Sequence, residues 1–215
     1  MKKSLFTISI LFIFYQAIAV SNEAFVKIMK AKIEILSNTQ TIEGYQQLAN
    51  EFERISQKEI TEWLPLYYTA FCYVNMGFRR SLDLETKDSY FNKAEALIEK
   101  AEKLSENNSE LTALKGYAVM GKLSADAANR GQTMSPLAMQ LFGRAIQQNP
   151  ENPRALFLMA QMEYGMAQFF GSTTEKACAM AKQSVMLYER TNEVGIQPSW
   201  GINGAKEMAT SCQKP

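Results

Sequence analysis

Residues 142–164 read FGRAIQQNPENPRALFLMAQMEY. Ala138, Phe142 and Ala145 fall at i, i+4 and i+7, an apolar helical face that runs out at Asn149-Pro150. Pro153 then sits where a first helical turn tolerates it, because the N–H it lacks has no partner there anyway. Leu156, Met159 and Ala160, at i, i+3 and i+4, open a second apolar face. The stretch predicts the end of one helix, a tight turn, and the start of the next.

Working outward, the same 3.6-residue periodicity predicts helices over Asn22–Leu36, Thr41–Ser56, a segment starting at Glu62, Ser89–Leu104 and Glu110–Lys122. It continues over Ser135–Gln148, Arg154–Phe169, Thr174–Arg190 and Ser199–Cys212. Nothing alternates with period two, so no strands are expected. The helices repeat in pairs. Ile55 to Ala70, Ala101 to Gly116 and Ala145 to Ala160 are each 15 residues apart, from the last core position of one helix to a small residue in the next. Small residues there let two helix backbones approach closely.

Small-aromatic-small, then Pro, then large-large-small resembles the junction between tetratricopeptide (TPR) repeats, and the 15-residue spacing is theirs. The step between repeats is longer: Ala70 to Gly116 is 46 and Gly116 to Ala160 is 44, against about 34 in the standard unit. The excess falls inside each hairpin, predicting enlarged connections at Asn75–Asp88 and Gly121–Met134 and a shorter one at Phe169–Thr174, each able to extend a flanking helix in part, since Ser124–Asn129 is helix-compatible. The runs WLPLYYTAFCYVNMG, ALIEKAEKL, LKGY, NPENPRALFLMAQ and the closing PSWG…C also resemble small secreted TPR proteins of unknown function from Bacteroidota-type bacteria. The resemblance implies an all-α fold. It would be a right-handed superhelical array of antiparallel helix hairpins, a TPR-like α-solenoid of about nine helices. One domain over 20–215 would hold hairpins at roughly 22–57, 62–105, 109–148 and 153–190 and a closing helix at 199–212.

In that family the first helix of each hairpin lines a groove for a peptide. Carried over by position, the groove candidates are Tyr67, Phe71 and Val74, then Tyr117 and Met120, then Phe157, Gln161 and Tyr164. Aromatic side chains at these spacings also serve as helix–helix core, and both readings stand at this point. The enlarged connections carry Arg79, Arg80, Arg130, Phe169 and Phe170 along one edge, where loops on a rigid scaffold tend to hold function. Solvated helix-terminal arginines are the plain alternative.

Cys178 and Cys212 lie symmetrically about Gly195, so two antiparallel helices turning there would bring them level. In an oxidising compartment they are candidates for a disulfide holding the closing helix to the last hairpin. Cys72, between Phe71 and Tyr73, reads as a buried free thiol. Met159, Met162 and Met166 form a helical stripe of soft thioethers, but neither His nor a Cys pair joins them, so gap-filling core is expected and no metal.

Residues 1–19 read as a cleaved secretory leader: Lys2-Lys3, an apolar run from Leu5 to Tyr15, and Ala17-Ile18-Ala19. It predicts export by the Sec pathway, and the Bacteroidota resemblance implies a Gram-negative periplasm. No later segment is apolar enough to span a membrane. Without Lys2 and Lys3 the 23 basic residues fall to 21 against 22 acidic, which speaks against a nucleic-acid partner. The chain has 0 histidines, removing the commonest general base and zinc ligand. With no phosphate-cradling loop, nucleophile elbow or ligand cluster, neither an enzyme nor a cofactor is expected. The sequence predicts a non-enzymatic scaffold for a protein or peptide in the bacterial envelope. The alternative is a small apolar ligand in a pocket under the long connections, near Tyr164 and Phe169-Phe170.

Overall fold

A computed structural model of the chain describes residues 23–190 and 195–212. The predicted leader lies outside these residues. Nine helices and no strand are found among the described residues: α1 (23–37), α2 (Ile42–Lys58), α3 (Leu64–Gly77), α4 (Leu84–Glu102), α5 (Ser109–Ala125), α6 (Ala127–Gln148), α7 (Pro153–Phe170), α8 (Glu175–Arg190) and α9 (Ile202–Ser211). From α2 onward each helix packs on the next, and α5 also touches both α3 and α7, giving an α-solenoid-like array. The first helices of successive hairpins thus form one layer.

Local chemistry sets the boundaries. Thr41, Asp83, Asn108, Asp126 and Asn152 each cap a helix, their side-chain oxygens accepting an N–H of the first turn. Asn108 and Asn152 occupy equivalent places one repeat apart. Asn152 Nδ2 donates to Ser109 Oγ, which donates in turn to the Ala145 carbonyl, so the two repeat starts are tied together.

The long connections expected at Asn75–Asp88 and Gly121–Met134 are corrected by the structure. α4 begins at Leu84 and α6 at Ala127, so Asp126 alone separates α5 from α6. The extra residues lengthen helices instead. Asp83 and Asp126 supply N-caps ahead of helix-compatible segments, and Pro136, expected near a helix start, lies within α6. The connections left inside the hairpins are short, residues 78–83 between α3 and α4 and 171–174 between α7 and α8, so no long loop among the described residues covers a pocket.

Ala70 and Ala160 are fully buried at the spaced positions. A Cβ on Gly116 would lie 2.5 Å from Phe142, so only glycine allows that approach of α5 to α6. Phe91 does the same between repeats. Its buried ring occupies the space of a side chain at both Gly77 and Gly121, where a Cβ would come within 2.6 and 2.3 Å.

Candidate ligand-binding site

The layer of first helices presents aromatic side chains, and the chain's own C-terminal segment covers part of them. Residues 195–201, here called the strap, run across α3 and α5 on the way to α9. The Trp200 indole stacks on Phe71 of α3 (centroids 4.8 Å apart) and on Tyr117 of α5 (5.6 Å). Tyr117 stacks in turn on Phe78 at 4.8 Å. Trp200 Nε1 donates to the Tyr67 hydroxyl at 2.8 Å. Burial pushes the Tyr67 phenol well above its ordinary value, with Glu110 reinforcing and Arg154 opposing, so the hydroxyl stays neutral. The strap backbone is held by two more tyrosines: Tyr68 donates to the Ile196 carbonyl and Tyr188 to the Trp200 carbonyl, each at 2.9 Å.

This arrangement decides how far solvent reaches each groove candidate. Tyr67, Phe71, Val74 and Phe157 are buried. Tyr67 and Phe71 lie against Trp200, and Phe157 packs with Tyr188 and Ala205 beneath α9. These four form core, not the lining of an open groove. Tyr117, Met120 and Tyr164 are half-buried and Gln161 is exposed. The strap departs from the helix expected over Ser199–Cys212: α9 begins only at Ile202, after Gly201 in left-handed conformation (φ 106°), which leaves Trp200 outside the helix.

At the loop edge the candidates separate. Arg130 makes a two-pronged ion pair with Asp88 at 2.6 and 2.5 Å, joining the start of α6 to α4, and holds the Asp88 carboxyl below its usual range. Arg79 is half-buried over the Tyr45 ring at 5.3 Å, and Arg80 is exposed. Phe169 and Phe170 are different: they are 83 % and 71 % exposed at the last turn of α7, their rings edge to face at 5.0 Å. Gly171 in left-handed conformation (φ 66°) ends the helix directly after them. No other aromatic ring among the described residues is so open. A shallow depression along α4, between Leu84 and Ala96, takes all its lining from that one helix.

Cys178 and Cys212 are joined by a disulfide that fastens the end of α9 to α8. Cys72 is a buried free thiol whose pKa burial pushes up. Met162 is buried and Met159 and Met166 half-buried. Among the described residues no cluster of three His, Cys, Asp or Glu side chains is placed to hold a metal. No helix there is long and apolar enough to cross a membrane.

The described residues thus form an all-helical array with one aromatic layer covered by the strap and one open aromatic edge. No protein-family model matches the chain, and no curated protein matches it in sequence. Among solved structures it is similar to one described as the HusA haemophore from Porphyromonas gingivalis. Identity is 31%, the TM-score is 0.79, and the match covers 88% of this chain and 92% of that one. The chain belongs to the family of that haemophore, a binding protein.

Proposed function

We propose that the protein is an exported, non-enzymatic binder of haem or a related porphyrin in the bacterial envelope, built on a TPR-like array. One observation carries the reading: near-complete coverage of a haemophore at family-level identity. The chemistry of this chain is compatible with it in a particular way. With 0 histidines there is no imidazole for the iron, so affinity rests on the flat apolar ring, with tyrosine and thioether left as the available iron ligands. Phe169 and Phe170 are the side chains best placed to meet a ring, with the half-buried Tyr164 and Met166 on the same helix. Arg79, Arg80 and Arg130 belong to the same edge by position, but Arg130 is taken by Asp88.

The test is absorption titration of the mature protein with haemin and with iron-free protoporphyrin IX. Both are expected to bind with affinities within about tenfold of each other, because the macrocycle carries the binding. Phe169→Ala/Phe170→Ala is expected to weaken both by about tenfold or more. A wild-type protein that binds neither compound overturns the reading. Haemin binding that the double variant leaves untouched removes the site from this edge.

A protein or peptide partner is a second reading for the exposed Phe169-Phe170 pair alone, since an open aromatic pair also suits a protein contact. Crosslinked co-purification that fails with the double variant would favour it.

A further inference from the structure

The place taken by Trp200 has the properties of a site more than of a core position. Its two walls, Phe71 and Tyr117, stand on different helices and lie nearly parallel to the indole, at 28° and 21°. At its end one neutral hydroxyl, Tyr67, is set to accept an N–H. The indole comes from no array helix. It is delivered by a strap whose backbone turns at Gly195 (φ 112°) and Gly201 (φ 106°), conformations that suit glycine. The indole itself is only partly buried, so one edge of the slot faces solvent.

We propose that the slot between α3 and α5 is a binding site for a planar aromatic ring bearing an N–H donor, and that Trp200 is its tethered resident. The strap reaches the slot with aromatic stacking, one side-chain hydrogen bond and two backbone carbonyls, all received by the array as a separate ligand would be. The Cys178–Cys212 disulfide fastens the far end of α9, so an indole that leaves the slot stays close by and competes with any visiting ring. This site is separate from the Phe169-Phe170 edge and does not depend on porphyrin binding there.

The experiment vacates the slot and offers the ring back. In full-length Trp200→Ala, free indole at about ten times its dissociation constant is expected to raise Tm by about 3–5 °C, and to leave the wild type unchanged. Indene, which has the same shape without the N–H, is expected to bind about tenfold more weakly. That preference is expected to vanish in Trp200→Ala/Tyr67→Phe. Should Trp200→Ala not fold alone, refolding it with and without the added ring serves in its place, recovery with indole and about tenfold more indene needed for the same recovery being the expected result. The proposal is overturned if indole shifts neither protein, if it shifts both equally, or if indene does as well as indole.

Discussion

Two aromatic groups in this molecule have opposite fates. Phe71 and Tyr117 are covered by Trp200 of the strap in a stacked column, whereas Phe169 and Phe170 stand open at the end of α7. Phe71, Tyr117 and the Phe169-Phe170 pair come from helices of the same layer, and all lie in apolar runs of sequence. The difference lies in how the rest of the chain treats them. α3 is crossed by strap residues 128 and 133 positions away, and the same strap reaches α5, while α7 ends at Gly171 with its last two rings left exposed by the described residues. The C-terminal segment thus covers the aromatic side chains of α3 and α5 and leaves those at the end of α7 open.

The strongest way to break the sealed region is at its polar foundation. Arg154 is 2 % exposed and pairs with both oxygens of Glu110 at 2.7 and 2.8 Å, with its guanidinium over the Tyr188 ring. Removing one member of such a pair strands the other in a poorly solvated site. Arg154→Ala is expected to cost about 3–5 kcal/mol by urea unfolding, with Tyr188 and the strap it holds loosened together. A loss under about 1 kcal/mol would mean that the pair is solvated and the seal rests on packing alone.

Next in size is the tether. The disulfide closes a separation of 34 residues, and Cys178→Ser/Cys212→Ser is expected to cost about 2–4 kcal/mol. The effect should be local: hydrogen exchange is expected to speed up in α9 and the strap while α3–α6 keep their protection. Uniform loss of protection would show that α9 is integral to the whole array.

A smaller effect belongs to the clasp between hairpins. Arg130 keeps the Asp88 carboxyl below its usual pKa by hydrogen bonding, against a modest desolvation effect. A depressed carboxyl adds stability that is present above its unfolded value and lost as pH falls through the folded one. Asp88→Asn is therefore expected to be less stable than wild type by under about 1 kcal/mol at pH 7, with the gap closing toward pH 3. A gap that persists in acid would assign the loss to packing.

Much of the array was legible in sequence because it is local. Helical periodicity and the 15-residue spacing placed Ala70 and Ala160 at fully buried positions and Gly116 at the close approach of Phe142. The connections were legible only in part: Ser124–Asn129 reads as helix-compatible, but an insertion of fixed length reads the same whether it loops out or extends a helix. Asp83 and Asp126, as caps, were the signal that separated the two. Gly77 and Gly121 likewise gave no hint that one ring, Phe91, joins them. The groove residues could be located but not their exposure, since Tyr67 and Phe71 are covered by a tryptophan more than a hundred positions away. Periodicity carries no information at that range.

The smallest expected effect on stability is at Phe169 and Phe170, and its smallness is the informative part. Their side chains are mostly in water already, so truncation removes little burial. Phe169→Ala/Phe170→Ala is expected to change unfolding free energy by less than about 0.5 kcal/mol. Two adjacent aromatic rings held in solvent then have no folding role to account for them, and a loss of porphyrin affinity in the same variant would be a loss of binding alone. If the variant instead unfolds readily, the pair packs against something in the folded protein, and the contrast between sealed and open aromatics fails at its open end.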